Sequence, residues 1–360
     1  MDALTELETR TGRDFARFAD GLGGPPLICA HHDADGLTSA AILARAWERM
    51  FGTVPQVRVV GRGENVWDAE FAKSLNGVEL RGLVFADLGL ASVRPRTDVP
   101  LLVLDHHVPT GAPNSATLIT GYGVEPTPST SLLAWWCARG LLGEEGADDL
   151  MWLAAVGLVG DMADKGFPEL METAKRRYRI GRIREVATLV NAPRRSASGD
   201  ATPALELLMA VDSPAEFLDS DSPQLAACRE AREAVKRATA EARRAPPRFG
   251  SVYGSDLAFV RLDTPCQVHP LIAQSWAGRL KPARVFAANF GYQPGKVSFS
   301  GRSRGGLDLI DFLAEHRPEG ADPAHYGNGH RFAAGGALTF PVWNDFMRSL
   351  GFGEEMMAEV

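Results

Sequence analysis

From about residue 26 to residue 120 the chain alternates between short apolar runs and helix-like stretches. The runs "PPLICA", "QVRVV", "GLVFA", "PLLVL" and "ATLIT" are rich in Val, Leu and Ile, and "LTSAAILARAWERM" and "NVWDAEFAKSL" carry helical spacing between them. Strands that are apolar along their length are buried on both faces, which calls for helices above and below the sheet. Their alternation with helices predicts an α/β domain built on a doubly wound parallel sheet with right-handed crossovers.

Helical patterns dominate from Ser129 to about Arg244 and end in "SPQLAACREAREAVKRATAEARRAPP", a long charged helix stopped by Pro246 and Pro247. That helix reads as a linker. The expected organisation is a larger α/β domain over residues 1–220, a helical linker over 221–247 and a smaller mixed α/β domain over 248–360. The smaller domain opens with a strand pair around Gly254, followed by a helix near "VHPLIAQSWAGRL", strands "ARVFAANFG" and "KVSFSGRS", and a helix "LDLIDFLAEH". After the glycine-rich "YGNGHRFAAGG" a last strand and a last helix are expected.

The formal charge of −7 argues against a protein that coats polyanions. From Phe249 onward 10 basic residues face 11 acidic ones, so any nucleic-acid contact there is local. The N-terminal "MDALTELETRTGRDFARFAD" lacks the apolar core of a signal peptide, and no run of about 18 apolar residues points to a membrane span. Cys29, Cys137, Cys228 and Cys266 form no C-x-x-C pair and read as small core residues of a reducing, cytoplasmic setting.

Ligands of open parallel sheets gather beyond the carboxyl ends of the strands. Three expected strands end there in metal-binding residue types: "PPLICA" in His31-His32-Asp33-Ala34-Asp35-Gly36, "GLVFA" in Asp87-Leu88-Gly89, and "PLLVL" in Asp105-His106-His107. A fourth segment, "AVGLVGDMAD", places Asp161 and Asp164 after an apolar helix. Each segment alone has a plain reading: a hydrogen-bonded loop for Asp-His-His, a turn or cap for Asp87 or Asp161. Together they concentrate charge at one end of one sheet, which is costly unless a cation neutralises it. Mixed imidazole and carboxylate donors suit Mn²⁺ and its neighbours, and two such ions serve phosphoryl transfer.

In this order, H-x-D-A-D-G, D-L-G, D-H-H and G-D-x-x-D resemble the signature of the DHH phosphoesterase superfamily. That group includes RecJ-type exonucleases, short-oligonucleotide nucleases, cyclic-dinucleotide phosphodiesterases and manganese-dependent pyrophosphatases. The C-terminal part is similar, through "SFSGRS" and "GNGHRFAAGG", to the DHH-associated (DHHA1-type) domain. The resemblance implies two Mn²⁺ ions, with Mg²⁺ or Co²⁺ as substitutes. His31, Asp33 and Asp87 would hold one ion, and Asp35, Asp87, His106 and Asp161 the other, with Asp87 bridging. It assigns His107 to the substrate phosphate and the leaving oxygen, and Asp105 to orienting an imidazole. Asp164 is left as an outer group, and His32 fills a variable position. Arg302, Ser303, Gly329 and His330 match the residues that grip a substrate phosphate or terminal nucleotide. Asn328 replaces a glycine of the family's motif, a tolerable change should that backbone need positive φ.

The segment "LVNAPRRSASGD" is similar to the Asn-and-Arg segment of RecJ-like nucleases, which gives Asn191, Arg194 and Arg195 to backbone phosphates of a single strand. A solvated helix face and loop is the plain reading of the same residues. The reading that follows is a manganese-dependent phosphodiesterase of short single-stranded RNA or DNA, acting as a 5′-to-3′ exonuclease that releases mononucleotides. The alternative is a small-molecule phosphoesterase, acting on a nucleoside bisphosphate or a cyclic dinucleotide. No membrane partner is expected; the sequence leaves room for a homodimer.

Overall fold

The computed structural model describes residues 2–280, 284–304 and 307–359. The chain divides into two units, one formed by Met1–Arg194 and Ser198–Glu230, the other by Arg195–Ala197 and Ala231–Val360.

The first unit runs α1 (Ala3–Asp20), β1 (Leu27–His31), α2 (Ala34–Phe51), β2 (Gln56–Val60), α3 (Ala69–Ser74), β3 (Leu83–Ala86), β4 (Leu101–Asp105) and β5 (Thr117–Thr120). The helices that follow are α4 (Thr130–Ala147), α5 (Met151–Gly160), α6 (Pro168–Tyr178), α7 (Ile180–Arg195), α8 (Thr202–Ala210), α9 (Pro214–Asp219) and α10 (Pro223–Ala242), the last of which runs on into the second unit. The strands pair in the order β2-β1-β3-β4-β5, every pair parallel. Alternate residues of the central strands enter two different cores. Ile28, Ala30, Val84, Ala86, Leu102 and Leu104 pack with the buried residues of α2, α4 and α5, whereas Cys29, Leu83, Phe85, Leu101 and Val103 pack with Val66 and Phe71. Burial on both faces is why these strands read as unbroken apolar runs. All four cysteines are buried and free.

Helix α1 is an addition to the expected elements. Its polar composition hides a stripe, Leu7, Thr11, Phe15 and Phe18, that recurs at helical spacing and is buried.

The second unit contains β6 (Pro247–Phe249), β7 (Leu257–Leu262), α11 (His269–Ala277), β8 (Arg284–Gln293), β9 (Lys296–Arg302), α12 (Leu309–Glu315), β10 (Tyr326–His330), β11 (Ala333–Thr339) and α13 (Phe340–Ser349). Ala283, the expected start of β8, lies outside the described residues. The sheet order is β10-β11-β9-β8-β7-β6, parallel only between β7 and β8. Phe259, Phe286, Phe299, Trp343 and Phe346 form its core, with Phe259 and Phe286 stacked at 4.9 Å.

The last strand was expected after the glycine-rich segment; the segment itself forms β10 and the first residues of β11. Glycine is required by close approach: a Cβ on Gly335 would stand 2.3 Å from the Phe299 carbonyl oxygen, and one on Gly336 2.5 Å from that of His325. Among the described residues, no helix is long and apolar enough to cross a membrane.

Candidate metal centre

The strand order reverses between β1 and β3, so the chain leaves these neighbouring strands toward opposite sides of the sheet. The crevice beyond such a switch point is where open α/β sheets bind ligands. Residues after β1, β3 and β4 converge there.

The turn after β1 is built for close quarters. The Gly36 N–H donates to Asp33 Oδ1 at 3.1 Å, which caps α2, while Asp33 Oδ2 lies 3.1 Å from His31 Nδ1. A Cβ on Gly36 would stand 2.4 Å from the His31 carbonyl oxygen, so glycine lets the helix begin directly against the strand end. Asn191, on α7, accepts from the Ala34 N–H at 3.0 Å and pins the same turn.

Asp35 is buried, and both its oxygens face the N-terminus of α4. The Thr130 N–H donates to Oδ2 at 2.8 Å and the Ser131 N–H to Oδ1 at 2.9 Å. The positive end of the helix dipole and two otherwise orphaned N–H groups thus offset part of that charge. The Thr130 hydroxyl donates to Asp87 Oδ1 at 3.1 Å. Neither residue was singled out from the sequence, although "PSTS" ahead of an apolar helix is a recognisable N-terminal signal.

Asp87 has a left-handed backbone, φ 64°, a conformation that Asp tolerates better than most residues. Its Oδ2 lies 3.4 Å from His31 Nδ1 and its Oδ1 3.5 Å from His106 Nε2. On the far side, His106 Nδ1 is 3.6 Å from Asp161 Oδ2, and His106 Nε2 is 4.0 Å from Asp35 Oδ2. Fully buried Asp105 ties two turns together: Oδ2 accepts from the Gly89 N–H at 2.7 Å and Oδ1 from the His107 N–H at 2.7 Å. The same Oδ1 faces His107 Nδ1 at 3.2 Å.

Potential donor atoms lie within 4.8 Å of one another in three groups: His31, Asp33 and Asp87; Asp35, His106 and Asp161; and Asp87, His106 and His107. The electrostatics of the bare cluster show what it lacks. Burial and the neighbouring Asp87 push the Asp35 carboxyl up to about 7, and burial with Asp87 and Asp33 lifts Asp161 to about 6 against the pull of His106. Burial would lower the imidazoles, but Asp33 and Asp87 outweigh it at His31, and Asp87 and Asp35 at His106, raising both to about 10. These shifts mark a cluster short of positive charge, and imidazole and carboxylate donors of this kind fit divalent cations. His32 is different: burial, His31 and Arg194 push it down to about 3. It stays outside the donor groups.

Arg194 places Nη1 3.6 Å from Asp33 Oδ2, at the edge of the cluster. Asp164 belongs to none of the three groups; it lines a cleft of about 530 Å³ with Lys165, Arg184 and Asn191. Arg195 falls in the second unit, where its carbonyl accepts from the Gln267 N–H at 2.8 Å.

The second unit brings Arg302, Ser303, Gly329 and His330 to one end of a ladder. Arg302 pairs with Ala333, and Ala333 pairs with His330 across the tip of the β10–β11 hairpin. Arg302 donates to Gln274 Oε1 at 3.2 Å, to Ser300 Oγ at 3.0 Å and to the Gly301 carbonyl at 2.8 Å, all neutral acceptors. Burial pulls its pKa down, and among the described residues no carboxylate offsets it. The Ser303 hydroxyl is already engaged, donating to the Leu307 carbonyl at 2.6 Å. Gly329 has φ 132° and no room for a Cβ, whereas Asn328 is not at positive φ, so the asparagine is not explained by backbone conformation.

No family model and no curated protein matches the sequence. Solved structures do. The chain is similar to exonuclease RecJ bound to manganese, at 20% identity over 95% of this chain and 93% of that one, with a TM-score of 0.68. It is similar to RecJ from Thermus thermophilus in complex with Mn²⁺, at 18% identity over 97% of this chain and 56% of that one, TM-score 0.70. A DHH domain from a member of a family of ribosomal proteins aligns at 16% identity over 99% of this chain and 93% of that one, TM-score 0.68. With its parallel five-stranded sheet followed by a mixed six-stranded one, the chain shares the fold of these RecJ and DHH-domain structures.

Proposed function

We propose that the chain is a divalent-metal phosphodiesterase that degrades short single strands of RNA or DNA from the 5′ end, releasing mononucleotides. The observation that carries this reading is the meeting of two donor groups at Asp87, which faces His31 on one side at 3.4 Å and His106 on the other at 3.5 Å. A likeness in fold to structures described as exonuclease RecJ supports the choice of a strand end as substrate.

In this reading His31, Asp33 and Asp87 would hold one cation, and Asp35, Asp87, His106 and Asp161 the other; divalent ions there would supply Lewis acidity toward a phosphoryl group and a more acidic water at neutral pH. Asp105 fixes the His107 ring through Nδ1, which leaves Nε2 to protonate the departing 3′ oxygen as the ester bond breaks. Arg194 and Asn191 border the same turn, with Asn191 spent on the Ala34 N–H. Arg302 supplies a guanidinium without an acidic partner among the described residues for a substrate phosphate, flanked by Ser303, Gly329 and His330.

Chelator-treated protein is expected to gain about 2.7 kcal/mol of stability when Mn²⁺ is added to a hundredfold excess over Kd. Thermal unfolding checks this, and a melting temperature unmoved by either Mn²⁺ or Mg²⁺ would count against a metal centre. The substrate is tested with 5′-labelled RNA and DNA oligonucleotides, duplexes, a cyclic dinucleotide, a nucleoside bisphosphate and pyrophosphate. Labelled mononucleotide is expected as the first product, with duplexes spared. A ladder of shortened labelled strands would contradict the polarity. Intact oligonucleotides beside rapid cleavage of the cyclic dinucleotide or bisphosphate would establish the small-molecule alternative.

A further inference from the structure

The tip of the β10–β11 hairpin is a two-residue turn, Arg331-Phe332, closed by the pairing of His330 with Ala333. Tight turns of this length ordinarily use Asn-Gly, Asp-Gly or Gly-Gly at positive φ. Here both residues are large and neither has positive φ. Phe332 is 47% exposed, an unusual place to put an aromatic ring unless something covers it. A single exposed hydrophobic residue means little by itself; the neighbours of this one give it meaning.

The turn is held still. The Leu309 N–H donates to the Arg331 carbonyl at 2.8 Å, the Ser303 N–H donates to the Phe332 carbonyl at 3.2 Å, and Arg331 Nε donates to Asp308 Oδ2 at 2.8 Å. The Arg331 guanidinium lies 5.4 Å from the Phe332 ring centroid. The backbone that carries the Phe332 ring is therefore fixed, bonded to Ser303 and directly preceding Ala333, the ladder partner of Arg302. A guanidinium held, among the described residues, by neutral acceptors and an exposed ring at the same end of a ladder match the two halves of a nucleotide, its phosphate and its base. Inorganic pyrophosphate or polyphosphate has no use for the ring.

We propose that Phe332 is a stacking platform for the base of the terminal nucleotide whose phosphate Arg302 holds, so that the second unit selects substrates bearing a nucleobase. The inference rests on the phosphodiesterase reading above and narrows it. Stacking of one base on an aromatic side chain corresponds to about 5- to 160-fold in affinity. Because the base is held alike in ground and transition states, the effect belongs in KM and not in kcat.

The test compares two single-stranded oligonucleotides that differ only at the 5′-terminal nucleotide, one carrying a base and one abasic, with the full chain and Mn²⁺. The unaltered protein is expected to show a KM about 5- to 160-fold lower for the strand with the base. Phe332→Ala should raise that KM to the abasic value and leave KM for the abasic strand and both kcat values unchanged. Phe332→Trp should restore the difference. Equal KM for the two strands in the unaltered protein, or an equal rise for both in Phe332→Ala, overturns the platform while leaving the phosphodiesterase reading in place. No cleavage of either strand overturns both.

Discussion

Asp87→Asn is expected to release bound divalent metal and to lower kcat at least about 10³-fold, since one lost charge-stabilising group already removes about 10²–10³. Asp87 is the carboxylate that both donor groups reach, with Oδ2 toward His31 and Oδ1 toward His106. The choice of asparagine matters. At φ 64° an alanine would add roughly 1–2 kcal/mol of backbone strain, whereas asparagine tolerates this conformation. Asparagine also keeps an acceptor for the Thr130 hydroxyl, which alanine would leave buried without its partner. Asp87→Ala would therefore confound folding with metal loss, and Asp87→Asn separates them. Metal analysis of the purified variant is the deciding measurement, and two ions per chain would contradict the bridging role.

The residues gathered at this edge were legible because most of them stand at or just after the end of an apolar strand, and in a parallel sheet the ends of successive strands share one edge; Asp161 instead follows the apolar helix α5. What could not be read is what reaches that edge from far along the chain. Asp35 is bonded by N–H groups 95 and 96 residues away, and the Ala34 N–H by a side chain 157 residues away. No local pattern announces such contacts. Asn191 shows the consequence: the resemblance of its segment gave it to a phosphate, and nothing local announced that its Oδ1 also accepts from the start of α2. The glycine-rich segment was left without an element for another reason. Glycine marks turns and also marks strands whose backbones meet others closely, and only the register of β11 against β9 separates the two. Helix α1 was hidden by composition, because a few buried positions in eighteen suffice to seat an amphipathic helix.

His107→Ala carries the second large effect and decides between two roles that the geometry sets side by side. His107 Nδ1 is 3.8 Å from Asp87 Oδ1, close enough to join a donor group with His106. It is closer still, 3.2 Å, to Asp105 Oδ1, and the His107 backbone N–H bonds the same oxygen. Asp105 draws the ring's pKa upward through that bond. The side chain is also half-exposed, unlike the nearly buried His106 at 12%. A ring turned to solvent and hydrogen-bonded to its own carboxylate suits a proton donor better than a ligand. The variant is therefore expected to keep its metal and to lose about 10²–10⁴ in kcat on an oligonucleotide, the span of a missing general acid. On bis(p-nitrophenyl) phosphate the loss should be far smaller, because that leaving group departs without a proton. Loss of metal in His107→Ala would make the residue a ligand, and an equal loss on both substrates would remove its acid role.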